Sequence, residues 1–478
     1  MRRCILVFGV LCGVVNLSIA QGEAGSLSLE EAVNMAVERN LSVKLGEINS
    51  EMAKENVNQA YMGLLPNVNA FGSHGYNWGQ TIDPFTNTFA TSRVRNNNLG
   101  VSSNWTLFGG FQRQYGLAQR KAEQKASELE LEQNKNDISI QVAQAYLQTV
   151  YSQGLVGVAE EQLALSNQQY DRVKQQFELG QVSNSTLLDM EAQRATDELG
   201  LTNAENQYRM ARLQFFQLIQ SEEEETKRKL ELPDIGKVNA KMVANTPAGI
   251  YSIALENLPD VQAQEYRLKA SEKSLGAARG GYLPSLSINA SYGSGYSGNN
   301  VIGVGNPTIT TDTVPLFTTS GEQIIQLGAK YDAFETKSFK DQINDNINKS
   351  LSFSVSLPLF NGGSTRSNVK RTKLSVIQSR IQLDQAKNTL RQKVETSWND
   401  ALAAYKTLLS SEKAASSQQQ AFDNAKIRFE ENLITSIDFN DIKIRLARAK
   451  VDLIQAQVDY IFKTKVLDFY KGENLSLK

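Results

Sequence analysis

The sequence predicts a mixed α and β fold, mainly long α-helices, with an internal two-fold repeat and four membrane-length strands per chain. Three observations predict it. Two motifs recur in order: Gly63-Leu64-Leu65-Pro66 returns as Gly281-Tyr282-Leu283-Pro284, and Leu107-Phe108-Gly109-Gly110 returns as Leu359-Phe360-Asn361-Gly362. Positions 85–232 and 359–478 contain no proline and are rich in Ala, Leu, Gln, Glu and Lys, a composition that favours long helices. Two segments in each half alternate between apolar and small polar residues, the period of a strand with two different faces.

The repeat is long rather than solenoid-like. The first motif pair is offset by 218 positions and the second by 252, so the second copy carries 34 extra residues between its shared motifs. The segment Tyr170–Asp189 recurs as Phe422–Asp441 at the offset of 252. Repeat 1 is assigned to residues 21–246 and repeat 2 to 247–478, with an inter-repeat linker over 221–247 that holds the acidic run Ser221–Glu225 and the bases Lys227, Arg228 and Lys229. That linker is expected to be solvated and equatorial.

Residues 1–20 read as a secretory signal: Arg2 and Arg3, the apolar run Ile5–Val15, then Ser18-Ile19-Ala20 as a small-residue cleavage site. Cys4 and Cys12 both fall inside it, so the exported chain is expected to have no thiol for a disulfide, a metal or a nucleophile. His74 is the only histidine, and no catalytic, cofactor-binding or metal site is assigned. Net charge is −1 with signs interspersed, which points away from nucleic acid. No later run of 18 apolar residues is present, so membrane contact has to come from strands.

The strands are placed at about 66–78, 94–108, 284–297 and 346–360. Leu351, Phe353, Val355 and Leu357 alternate with serines. Leu99, Val101, Trp105 and Leu107 oppose Gly100, Ser102, Asn104 and Thr106, and Val68, Ala70 and Gly72 match Leu286, Ile288 and Ala290. Transmembrane strands need roughly 9–11 residues, and these segments reach that length. Tyr76, Trp78, Tyr292 and Tyr296 cluster toward the distal ends, as an interfacial girdle would. Gln80–Arg93 and Ser297–Asn344 read as loops, the second holding the 34-residue insertion.

Helical hairpins are placed at about 112–220 and 363–470. If the segment from Gln112 to Leu179 is one helix, it reaches about 100 Å at 1.5 Å per residue. Ile138, Val142, Tyr146 and Val150 form one narrow stripe at a spacing of four, suited to coiled-coil packing. A bundle of shorter helices broken near Gly154 is the other reading.

Four strands cannot close a membrane barrel, since the smallest use 8. Unpaired edges in lipid cost several kcal/mol per group, so the chain is expected to share a barrel among symmetric copies. Eight strands barely enclose a lumen, which favours three copies over two.

With these marks assembled, the chain resembles the TolC-like outer membrane efflux protein family over essentially its whole exported length. The duplication, Gly-x-Leu-Pro opening the first strand of each half, and the Leu-Phe-x-Gly turn carry the resemblance together. It implies a homotrimer whose 12-stranded β-barrel sits in outer-membrane lipid and continues as a periplasmic α-helical coiled-coil barrel. It also implies passive export of small molecules, metal ions or proteins with a periplasmic adaptor (membrane fusion) protein and an inner-membrane pump, as in tripartite efflux or type I secretion. The family is not enzymatic. The alternative is a periplasmic coiled-coil adaptor or scaffold, its strands forming a sandwich.

The resemblance places the periplasmic tips at Gln176–Ser183 and Arg428–Thr435. Phe177, Gly180, Ser183, Arg428, Phe429, Asn432 and Thr435 are the expected adaptor contacts. The family's Arg-aromatic-x-x-Gly pattern is split between the halves: Arg428 faces Gln176, and Gly180 faces Asn432. Helix-capping chemistry alone also explains these residues. Asp438 and Asp441 match acidic positions that ring the family's periplasmic entrance, and their i, i+3 spacing puts both on one helix face. Thr435-x-x-Asp438 reads equally as a capping box. Ile434 stands where a family member has an arginine that latches the closed entrance.

Overall fold

The computed structural model describes residues 26–83, 85–90, 93–221, 226, 228–231, 245–431 and 433–473. The expected export signal with Cys4 and Cys12, most of the acidic run in 221–225, and Asn432 lie outside them. In chain order the elements are α1 (Leu29–Arg39), α2 (Leu41–Met62), β1 (Asn67–Asn77), β2 (Thr81–Ile82), β3 (Phe89–Ala90), β4 (Val94–Gly109), α3 (Gln112–Glu178) and α4 (Asn184–Leu218). They continue with α5 (Pro247–Asn257), α6 (Pro259–Gly280), β5 (Ser285–Ser297), β6 (Val301–Val304), β7 (Thr308–Phe317), β8 (Gln323–Lys330), β9 (Ala333–Thr336), α7 (Phe339–Asp345), β10 (Asn348–Ser356), α8 (Ser364–Glu430) and α9 (Ser436–Tyr470). Helix lengths match pair by pair: 67 residues in α3 and α8, 35 in α4 and α9, 22 in α2 and α6. No described helix is long and apolar enough to cross a membrane.

The chain divides into two compact units. The first comprises the described parts of Met1–Glu51, Lys125–Glu265 and Ile381–Lys478 and is helical. The stripe Ile138, Val142, Tyr146 and Val150 is buried there, with Phe215, Phe216 and Leu27 in the same cluster. Helix α3 runs through Gly154 without a break. A Cβ at Gly154 would stand 3.0 Å from Ile454 of α9, so this glycine permits close helix approach rather than ending the helix. The described part of the inter-repeat segment is pinned to the start of the chain's first helix. Leu27 pairs with Leu230 in a parallel bridge, and Arg228 donates to Glu31 at 2.6 Å. The Tyr146 hydroxyl donates to the carbonyls of Leu27 and Glu231.

The second unit, Met52–Gln124 and Tyr266–Arg380, holds the sheet. Its strand order is β1-β4-β5-β10, antiparallel throughout. Register decides what each face carries. Ala70 lies opposite Val101, Val101 opposite Tyr292, Trp105 opposite Ile288, and Ile288 opposite Phe353. Apolar residues of all four strands thus share one face, and Asn104, Asn289 and Ser352 share the other. The apolar face is bare: Phe353 is 65% and Val355 74% exposed. The edges β1 and β10 pair with no other described strand. A soluble sheet would cover such a face; exposed apolar area on one side and polar residues on the other is the pattern of a barrel wall in lipid.

Strand ends follow local chemistry. β10 stops at Ser356, two residues before Pro358, which has no N–H to give a ladder. The Gly-x-Leu-Pro motif meets the sheet where Trp105 Nε1 donates to the Leu64 carbonyl at 2.9 Å. The strand-to-helix turns need left-handed backbone at paired positions: Gly110 (φ 62°) and Phe111 (φ 63°) in the first half, Gly362 (φ 64°) and Gly363 (φ 77°) in the second. The segment 297–344 departs from the loop expectation: β6 pairs with β9 and β7 with β8. Thr- and Ile-rich stretches there favour strands, and the surrounding Gly and Asn mask that preference.

Candidate functional site

The candidate site is the end of the first unit where both helical hairpins turn. Helix α3 ends in a Schellman closure. Gln181 N–H donates to the Gln176 carbonyl at 2.9 Å and Gly180 N–H to the Phe177 carbonyl at 2.9 Å. Gly180 takes φ 71°, with open space where a Cβ would stand. Ser183 then caps α4, accepting from Thr186 N–H at 3.2 Å. Helix α8 closes with the matching bond, Leu433 N–H to the Arg428 carbonyl at 2.7 Å. Asn432, between them in sequence, lies outside the described residues.

The expected adaptor contacts do not all present side chains in the same way. Phe177 is exposed at 38%, and Arg428 is exposed in the last turn of α8. Phe429 is half-buried instead: it stacks on Phe439 at 4.7 Å between ring centroids and 10° between planes, with the Arg172 guanidinium 5.6 Å from its centroid. Phe422, Ala425, Phe439 and Leu446 form the small core beneath the second turn. At the offset of 252 the first half has Leu187 where the second has Phe439. Leucine offers no ring for Phe177 to stack on, which accounts for the difference between the two tips.

The acidic pair lies on the exposed face of α9. Thr435 caps that helix, accepting from Asp438 N–H at 3.2 Å, and its hydroxyl donates to Asp438 Oδ2 at 2.7 Å. In a full capping box the acid would reach the cap's own N–H; here the short Asp side chain takes the hydroxyl proton instead. Asp441 pairs with Arg445 one turn on, both more than half exposed. The hydrogen bond from Arg445 and the charge of Asp441 raise the guanidinium's pKa further above its ordinary value. Both acids are exposed to solvent, and Arg445 pairs with Asp441 alone. Among the described residues no cluster of His, Cys, Asp or Glu suited to a metal is present.

One constellation was not anticipated from sequence. Lys443 of α9 is 1% exposed. Its Nζ donates to Asp197 Oδ2 of α4 at 2.7 Å and to Ser166 Oγ of α3 at 2.5 Å. Ser166 also donates to Asp197, and Gln193 donates to the other carboxylate oxygen at 3.1 Å. Three helices from both hairpins therefore meet on one buried ion pair. Burial lowers the Lys443 pKa from 10.5, and the Asp197 hydrogen bond and charge act in the opposite direction. The signal was available: Lys443 sits between Phe439 and Leu446 at the spacing of buried positions.

Comparison with known proteins places this arrangement. The profile described as outer membrane efflux protein matches residues 32–219 and 250–467. The outer membrane efflux protein BepC of Brucella suis is 21% identical over 453 residues, 94% of this chain and 86% of that one. The outer membrane protein TolC of Escherichia coli is 22% identical over 467 residues, 96% of this chain and 83% of that one. Among solved structures, Vibrio cholerae VceC superposes with a TM-score of 0.73 at 14% identity, covering 94% of this chain and 97% of that one. The Campylobacter jejuni CmeC outer membrane channel gives a TM-score of 0.72 at 18% identity, covering 93% and 85%.

Proposed function

The chain belongs to the outer membrane efflux protein family, and from that premise we propose that it is the trimeric exit duct of a tripartite efflux or type I secretion system. The four-stranded sheet carries the reading. Its bare apolar face suits lipid, and its unpaired edges β1 and β10 offer the seam through which copies join. Three copies of this sheet give 12 strands, enough to leave a lumen lined by the Asn and Ser face. The alternative of a periplasmic scaffold leaves that apolar face in water, and nothing among the described residues covers it.

The helical hairpins form the periplasmic tunnel in this reading, and their turns meet a periplasmic adaptor that works with an inner-membrane pump. Phe177 and Arg428, exposed at different tips, make two unlike adaptor seats per chain. Cargo crosses passively, driven by the pump. Asp438 and Asp441 surround the entrance, six carboxylates in a trimer, and favour cations. Because Thr435 accepts from backbone N–H whatever residue 438 carries, Asp438→Asn separates charge from cap. In a planar bilayer the protein is expected to form a cation-preferring pore. The double variant Asp438→Asn with Asp441→Asn is expected to reduce the cation preference with helix content unchanged. Failure to form pores would remove the duct reading; pores of unchanged selectivity would remove only the gate assignment.

A further inference from the structure

The insertion that distinguishes the second half is a built element. Strands β6 and β9 and then β7 and β8 form a two-stranded ribbon, turned at its tip where Thr318 N–H donates to the Glu322 carbonyl at 2.8 Å. Its root is fixed. Gln342 of α7 is fully buried, accepts from Ser297 N–H at 2.9 Å and donates to the Ser297 carbonyl at 2.9 Å. Ser297 Oγ in turn donates to buried Asp83.

The register sorts the ribbon into unlike faces. Ile309 lies opposite Ala329 and Thr311 opposite Leu327, and Ile325 falls on the same side. Thr308, Thr310, Gly328 and Lys330 lie on the other. The first face is uncovered: Ile309 is 74%, Leu327 70% and Ile325 59% exposed. No third strand pairs with β7 or β8 among the described residues. Such a ribbon cannot rest in hydrocarbon, because both its edges keep unpaired backbone groups. In water an isolated two-stranded ribbon is marginally stable at best, so its apolar face calls for a partner.

We propose that this partner is the same face of the neighbouring copies, so that the ribbons gather at the outer mouth. The proposal rests on the trimeric duct reading above. Position favours a copy over another protein. The ribbon leaves β5 and returns through α7 into β10, the free edge that joins the next copy, so it rises beside the seam. Number favours it as well: one ribbon per chain places equal faces around one symmetry axis. Chemistry agrees, since Ile309, Thr311, Ile325, Leu327 and Ala329 carry no charge to repel their own kind, and Lys330 lies on the opposite face.

The test is oxidative cross-linking in outer-membrane vesicles, with the unmodified chain as background control. Leu327→Cys is expected to move up to two of every three chains from the non-reduced monomer band to disulfide-linked dimer, the third cysteine of each trimer having no mate, and Thr308→Cys, on the polar face, to leave all chains at monomer. Ile325→Cys serves on the same face if Leu327→Cys does not assemble. A heat-modifiable trimer with no cross-link from either apolar-face variant overturns the ribbon contact and leaves the duct intact. Absence of any trimer overturns both.

Discussion

Replacing Asp197 by Ala is expected to destabilise the helical unit by about 3–5 kcal/mol, because it strands the Lys443 ammonium without its counter-ion. Lys443 is 1% exposed and the Asp197 side chain 14%, so solvent does little to screen the loss. Lys443→Met is expected to be milder, since Asp197 keeps donors from Ser166 and Gln193. Removing both charges with apolar residues of similar volume is expected to be near neutral. Helical circular dichroism during thermal melting of the detergent-extracted protein reads all three. Burial lowers the Lys443 pKa in the folded state, so between that value and 10.5 the unfolded chain binds more protons and stability rises with pH. Without Asp197 the pKa falls further and the rise begins at lower pH. Equal melting of the parent and Asp197→Ala would contradict this account.

Gly110→Ala is expected to disrupt the strand-to-helix junction far more than the matched Gly362→Ala. Both glycines have left-handed φ, 62° and 64°, which costs an alanine about 1–2 kcal/mol. The surroundings differ. A Cβ at Gly110 would clash with the Gly280 carbonyl oxygen, whereas one at Gly362 would meet nothing within 4 Å. Gly110→Ala therefore has to move β4 or α6, and the yield of folded protein in the outer membrane should drop sharply. Gly362→Ala should assemble at near-normal yield with a modest loss of stability. Equal yields from the two would show that the close approach at Gly280 is not structurally required.

The strands were legible because their chemistry is local. Alternation in Leu351–Val355 and Leu99–Trp105 assigned the apolar face, and registers such as Trp105 opposite Ile288 follow once both faces are fixed; the shift after Thr106, which sets Phe108 rather than Leu107 opposite Leu286, was not legible. The long helices were legible from missing prolines and a stripe at spacing four. The closures at Gly180 and Thr435 were legible from single residues with strong backbone preferences.

What stayed hidden depends on three-dimensional pairing. Lys443 reads as a surface lysine until Asp197 and Ser166, far away in sequence, are brought to it. Phe429 reads as an exposed contact until Phe439 supplies a ring beneath it. The ribbon was obscured because Gly, Asn, Thr and Ser between its strands outweigh the short Thr- and Ile-rich stretches that pair.

We propose that one chain supplies four strands and closes a barrel only with two others. Native mass spectrometry of the detergent-extracted outer-membrane protein counts the chains. A single species of three chains is the predicted result; a stable monomer, or a dimer as the membrane-embedded form, would contradict it.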